Sequence, residues 1–217
     1  MIFSSVGKNS LLLGAFALVT TALLALTAEY TKERISKAER EAQQKALFEI
    51  VPGARHNNDL LNDVIKVPES AWADLGLKNG GSIYVARHTD ETIAVIIPAV
   101  APDGYSGDIR LIVGVNADGS IAGVRVIDHH ETPGLGDKIE LKKNSWILSF
   151  NGKSLETPVS SGWKVKKDGG DFDQFAGATI TPRAVVNQVH RVLEFVTAHR
   201  DELFAGTTSV KNRINNE

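Results

Sequence analysis

The feature that most constrains this chain is NSLLLGAFALVTTALLALTA, Asn9 to Ala28, a run of twenty residues without a charge. As an α-helix at ~1.5 Å per residue it is about 30 Å long, the thickness of a bilayer hydrocarbon core. The competing reading is a cleaved signal peptide, because Lys8 precedes an apolar core that ends in small residues. The run is long for a signal core, and Ala25-Leu26-Thr27 makes a poor cleavage site. An uncleaved transmembrane helix over 9–28 is therefore expected, behind a short tail of residues 1–8. The flanking charges do not settle its orientation: Lys8 lies on one side, and Lys32, Arg34 and Lys37 lie among Glu29 and Glu33 on the other. Charge alone leans towards a cytoplasmic C-terminal portion.

Beyond the run, EYTKERISKAEREAQQKALFEIV (29–51) consists of helix formers and meets no Gly or Pro before Pro52. Ile35, Ala38, Ala42, Leu47 and Ile50 form a thin apolar stripe, so a charged juxtamembrane helix continuing from the anchor is expected. From Pro52 the pattern becomes globular, starting with the polar, turn-rich HNNDLLNDVIKVP. SIYVARH (82–88) and ETIAVIIPAV (91–100) are β-rich and separated by Thr-Asp, which predicts a hairpin. IRLIVGVN (109–116) and SIAGVRVID (120–128) flank Ala-Asp-Gly, and the Asp-Gly pair marks a second hairpin. DKIELKKNSWILSF (137–150) is expected to form a short helix and then a strand or loop, and WKVKK (163–167) a short strand. Val185, Val186, Val189, Val192, Leu193 and Val196 recur at helical spacing and give a face wide enough to pack on a sheet. Strands that run together, with helices at the ends, predict an α+β fold with a mostly antiparallel sheet and a packed C-terminal helix. The domain is expected over 52–205, followed by a polar tail over 206–217.

There is no cysteine. That excludes iron–sulfur clusters, thiolate zinc sites, disulfides and thiol redox chemistry, so any electron traffic needs an organic cofactor or a His-ligated metal. Lys and Arg number 24 against 26 Asp and Glu, without a basic stripe, and no nucleic-acid partner is expected.

Two loops carry candidate chemistry. In HHETPGLGD (129–137), Pro133, Gly134 and Gly136 permit positive φ and a close approach of backbone to a ligand. His129, His130 and Glu131 invite a metal, but adjacent histidines on an extended segment point to opposite faces, and no second cluster stands at ligand spacing. No metal site is expected. In DFDQFAGATITPRAVV (171–186), Thr181 has the character of an N-cap and Pro182 of the first helical residue. The small residues Ala176, Gly177 and Ala178 leave room for a bulky group, and the following helix start suits a phosphate. Thr179 is not needed for the cap and remains to be explained. The Lys of a P-loop and the spacing of a dinucleotide fingerprint are both missing, so the residues alone support an anion site and no more.

DQFAGATIT resembles the flavin-attachment motif of the FMN-binding domain family, where an Asp precedes, by a short gap, a Ser/Thr-Gly-Ala-Thr box. An ETPGLG loop after a hairpin of the GY…VGVNADGSIAGVRV type is a second hallmark of that family. With the anchor in front, the resemblance covers essentially the whole chain and is strongest to G subunits of Rnf-type (Rsx) ion-translocating electron transport complexes. The C subunit of the sodium-pumping NADH:quinone oxidoreductase is related, though generally longer. The resemblance implies one covalent FMN, joined by a flavin transferase through a phosphoester to Thr179, with Asp173 as the transferase-recognition residue. The box is Ala176-Gly177-Ala178-Thr179, and Ala176 departs from the preferred Ser or Thr. Glu131, Thr132, Pro133, Gly134, Leu135 and Gly136 are implied to form the rest of the pocket, with Leu135 packing on the ring, Thr132 supplying a hydrogen bond and Thr181 helping to hold the phosphate. Lys164, Lys166 and Lys167 are either neighbours favouring an anionic flavin or a solvated strand end.

The implied role is an electron-carrier subunit of an ion-translocating complex, not a stand-alone enzyme, and no catalytic acid or base is nominated. Its implied partners are other membrane subunits, a flavin transferase and the lipid bilayer. The implied location is the bacterial inner membrane, with the flavin domain periplasmic, against the charge lean. The alternative is an anchored flavin- or anion-binding sensor or assembly domain without electron relay.

Overall fold

The structure, a computed structural model, describes residues 2–205. The tail expected over 206–217 lies outside the described residues, as do the side chains of Ile35, Ala38 and Ala42. The chain divides into two compact units, one ending at Gln44 and the next starting at Lys45.

Helix α1 runs without interruption over Ile2–Ile50. Its segment Gly7–Lys32 has a mean hydropathy of 2.2. Leu11, Phe16, Leu18 and Leu24 point outward, unburied by protein. Three hydroxyls within or at the end of this stretch satisfy themselves against the preceding turn: Thr20 donates to the Phe16 carbonyl at 2.9 Å, Thr27 to Leu23 at 2.8 Å and Thr31 to Thr27 at 2.8 Å. An apolar helix of this length, with these three hydroxyls paired internally, fits a single-pass membrane anchor.

The second unit is built on a five-stranded antiparallel meander. The strands are β1 (Val64–Lys66), β2 (Ser82–His88), β3 (Glu91–Gly104), β4 (Gly107–Asn116) and β5 (Ile121–Asp128), each paired with its neighbour in sequence. The two expected hairpins are present as β2–β3 and β4–β5. The β4–β5 turn has Gly119 at φ +87°, and Asp118 accepts hydrogen bonds from the Ser120 amide at 2.9 Å and its hydroxyl at 2.6 Å. Those bonds hold the Asp118 carboxyl below its ordinary range. Strand β3 extends four residues past the expected end, to a turn at Tyr105-Ser106 closed by the pair Gly104 and Gly107.

Period-two alternation makes both faces of the sheet apolar, and each is covered. On one face, Val95, Ile97 and Ala99 of β3 and Leu111, Val113 and Val115 of β4 share a core with α2 (Ile180–Ala198). Val185, Val189, Val192 and Val196 of α2 are buried there, as their spacing predicts. On the other face, Ala86, Ala94, Ile96 and Ile112 pack with Leu47, Ile50 and Val51. Gly114 and Gly123 are cross-strand partners, and a Cβ on either would meet Ile50. This bare patch seats the last turn of α1, so the globular unit begins ahead of Pro52.

Residues 129–179 connect β5 to α2 without a strand. The expectation of a short helix and then a strand or loop over 137–150 is corrected to two 3-10 turns, Gly136–Ile139 and Ser145–Phe150. The strand expected over 163–167 reduces to one bridge, Val165 to Phe172, and a 3-10 turn at Lys166–Asp168. Aromatic packing replaces sheet pairing in this segment. Phe150 stacks on Phe172 with centroids 4.7 Å apart, and Trp146 meets Phe175 edge-on at 5.1 Å. Each indole N–H donates to a loop carbonyl: Trp72 to Val67, Trp146 to Asp173 and Trp163 to Pro158. A short helix, α3 (Arg200–Leu203), follows α2.

Candidate functional site

One buried side chain ties three separate segments together. Glu131 is 4% exposed. Its Oε1 accepts the Ser106 amide N–H at 2.8 Å, and its Oε2 accepts the Thr181 hydroxyl. Ser106 belongs to the β3–β4 turn, Glu131 opens the loop after β5, and Thr181 lies in the first turn of α2. Both oxygens of the carboxylate are therefore engaged, as burial of a charged group demands. The approach is close enough to require glycine. A Cβ at Gly136 would stand 2.8 Å from Thr181 Oγ1 and 2.9 Å from Glu131 Oε2, and one at Gly104 would be 2.9 Å from Glu131 Oε1.

This contact corrects the assignment of the cap. Helix α2 starts at Ile180, so the N-cap position is Thr179, not Thr181. Thr181 is wholly buried, and its hydroxyl is held by a carboxylate fifty residues away in sequence. The Thr179 hydroxyl makes no capping hydrogen bond. The two threonines of ATIT thus differ in kind: one is an internal strut, the other an uncommitted hydroxyl at a helix start. Pro182 falls in the first turn, where its missing N–H has no helical acceptor to lose.

Around the strut lie the two loops singled out in the sequence. Within the first, the Thr132 carbonyl accepts the Leu135 N–H at 3.1 Å and the Gly136 N–H at 3.0 Å, while Gly134 N–H donates to Asp137 Oδ1 at 2.8 Å. Thr132, Pro133, Gly134 and Leu135 are exposed on this small knot, with Gly134 at φ +78°. Within the second, Ala178 N–H donates to the Phe175 carbonyl at 3.1 Å, closing a turn with Gly177 at φ +80°. That conformation favours glycine. Ala176 and Gly177 are exposed, and Ala178 and Thr179 partly so. The loops meet directly: a Cβ on Gly177 would lie 3.6 Å from Leu135 Cδ2.

Charged groups border the second loop. Asp173 pairs with Lys166 at 2.6 Å, and Arg183 Nε with Asp168 at 2.6 Å. The hydrogen bond from Arg183 lowers the Asp168 carboxyl below its ordinary value and raises the guanidinium. Two of the four, Lys166 and Asp168, lie on the 3-10 turn that took the place of the expected strand. In the first loop, His129 Nδ1 accepts the Glu131 N–H at 3.0 Å, so its Nε2 carries the proton and faces Glu140 Oε1 at 3.0 Å. Both ring nitrogens are used locally. Tyr105 entered the sequence reading only within the GY…VGVNADGSIAGVRV hallmark, and Ser106 and the Asp168–Arg183 pair escaped it.

A phosphate-linked flavin suits this arrangement. The Thr179 hydroxyl makes no capping bond, the first N–H groups of α2 lack helical acceptors, and Ala176, Gly177 and Ala178 put no bulky side chain directly ahead of Thr179.

Comparison with known proteins supplies two family matches. Residues 104–194 match the FMN-binding domain, and residues 1–50 match the RnfG N-terminal region. The chain is 53% identical over 198 residues to the G subunit of the ion-translocating oxidoreductase complex of Pseudomonas aeruginosa, covering 91% of this chain and 92% of that one. It is 49% identical over 211 residues to the protein of the same description from Shewanella amazonensis, covering 97% of both. For the Vibrio cholerae protein the identity is 43% over 200 residues, covering 92% of this chain and 94% of that one.

Proposed function

Since this chain belongs to the family of G subunits of ion-translocating oxidoreductase (Rnf) complexes, we propose that it is a membrane-anchored electron carrier with FMN joined covalently to Thr179. The observation that carries this reading is the contrast between the two threonines. Thr181 is buried and donates to Glu131, whereas the Thr179 hydroxyl, at the start of a 19-residue helix, makes no bond in its own cap.

FMN supplies one- and two-electron transfer when bound. Attachment forms a P–O bond to Thr179 Oγ, whose proton is lost, as a flavin transferase breaks the pyrophosphate bond of an activated flavin donor. The remaining roles belong to the chain's own residues. The first amides of α2 hold the phosphate. Gly134, Leu135 and Gly136 form one wall of the ring's seat, and Ala176, Gly177 and Ala178 leave its other side open. Glu131 and Thr181 act from behind, fixing the two loops against each other. Asp173, exposed beside its ion pair with Lys166, is available to the transferase. The helix Gly7–Lys32 holds the domain at the bacterial inner membrane, with the flavin domain in the periplasm, where a covalent bond keeps the cofactor from being lost. Electrons pass to and from neighbouring membrane subunits of the same complex, coupled there to cation movement.

The test is in-gel flavin fluorescence after denaturation, on full chain produced together with a flavin transferase, beside Thr179→Ala and Thr181→Ser. A fluorescent wild-type band, a dark T179A band and a fluorescent T181S band are expected. A dark wild-type band, or a fluorescent T179A band, overturns the attachment and leaves an anchored anion-binding domain.

A further inference from the structure

Tyr105 is the most exposed large apolar side chain among the described residues of the globular unit, at 67%. It occupies the tip of the β3–β4 hairpin, between the paired residues Gly104 and Gly107. The adjacent Ser106 amide is bound to Glu131 Oε1, so this tip is fixed, through one carboxylate, to Thr181 and the start of α2. Two other exposed apolar residues sit on segments held by the same carboxylate. Leu135 is 42% exposed in the loop after β5, and Ile180, directly after Thr179, is 44% exposed.

Apolar side chains are costly to leave in water, and a large aromatic offers the most area to an incoming partner. Here three are carried by three different segments tied to one buried carboxylate, whose partner Thr181 lies two residues after Thr179. We propose that Tyr105 is a contact for the isoalloxazine ring and that, with Leu135 and Ile180, it completes an apolar seat for the flavin tethered at Thr179. The proposal rests on the attachment reading above and names the aromatic partner that reading lacks. Ring size and flatness match a flavin: offset stacking or an edge contact with a phenol is favourable for any extended planar π-system. The strut through Ser106 gives the contact its precision, because the tyrosine's neighbour in the turn is hydrogen-bonded to the carboxylate that also holds the helix bearing Thr179.

A tyrosine in contact with a flavin quenches its emission, because the phenol donates an electron to the excited ring and recovers it as the pair relaxes. The experiment therefore compares native and denatured fluorescence of flavinylated full chain in detergent for wild type, Tyr105→Phe and Tyr105→Leu. Denatured in-gel fluorescence reports attachment and is expected to be equal in all three. Native emission is expected to rise several-fold in both variants and its lifetime to lengthen. Y105F keeps the ring's packing, so a rise there separates quenching from misfolding. Equal attachment with unchanged native emission overturns the contact. If assembly with the membrane subunits is lost while emission is unchanged, the tyrosine serves a protein partner, and the proposal fails as well. A dark denatured wild-type band refutes the attachment, and with it this inference.

Discussion

Removing one hydroxyl separates the strut from the cap. In Thr181→Val the side chain keeps its volume and loses its donor, leaving Glu131 Oε2 buried without a partner. A hydrogen bond to a buried charged acceptor is worth about 1.5–3 kcal/mol. For a unit in the 150–250-residue range each kcal/mol moves Tm by ~2–4 °C, which puts T181V roughly 3–12 °C below wild type. Thr181→Ser keeps the donor and loses one buried methyl, a cost of only about 1 kcal/mol. The assay is thermal unfolding of the full chain in detergent, followed by near-ultraviolet circular dichroism, which the buried tryptophans Trp146 and Trp163 report. A double-mutant cycle with Glu131→Ala completes it, with a coupling of at least ~1 kcal/mol expected between contacting partners. If T181V melts with T181S, or if the cycle is additive, the carboxylate is not the device that holds the two loops, and Thr181 reverts to an ordinary core residue.

The glycine patch under Ile50 gives a second prediction. Gly114→Val overpacks that seat, with an expected cost of about 1–3 kcal/mol, and Ile50→Ala in the same chain recovers part of it, measured by the same melts. The Asp168–Arg183 pair gives a pH prediction. Because the folded carboxyl titrates below its ordinary 3.8, the pair's contribution is complete above that value and is lost as pH falls through the depressed one. An NMR titration of Asp168 should show its midpoint rise towards 3.8 in Arg183→Gln, and an unmoved midpoint refutes the cause assigned. Orientation is testable because the chain has no cysteine. Ser70→Cys, at an exposed position, should react with a membrane-impermeant maleimide in intact spheroplasts. Labelling only after lysis would place the domain in the cytoplasm.

The parts of the fold legible in the sequence are those whose signal is local. The Asp118-Gly119 turn, the alternation of β2 to β5 and the valine face of α2 each repeat within a short window, and each appears where the pattern puts it. The three residues of β1 are too few to alternate. Residues 137–150 and 163–167 misled because their apolar residues serve an aromatic cluster, Trp146, Phe150, Trp163, Phe172 and Phe175, and not a sheet or helix face. Local chemistry also misled at Thr181. Threonine followed by proline is sound N-cap grammar, but the hydroxyl had a stronger partner in Glu131, and no local rule reveals a contact between residues so distant in the chain. That same contact explains why the residue left over in the sequence, Thr179, is the one with a free hydroxyl.

The surface character of the loops bears on why a bond should be needed at all. A non-covalent cofactor pocket buries about 70–90% of its ligand. Here Thr132 to Leu135, Ala176 and Gly177 are all exposed. A shallow seat gives little affinity, because little apolar area leaves water. The phosphoester proposed at Thr179 would change the arithmetic: the ring's return to its seat would become intramolecular, at an effective concentration set by a short tether and not by free flavin. Shallowness then has a use. A ring held by a bond can keep an edge open to the next carrier, and a deep pocket cannot. With Thr179 replaced by alanine, added FMN should therefore bind this domain no more tightly than a surface site does, as titration calorimetry would measure. Tight binding by T179A would show that the loops bury more of the ring than their exposure allows.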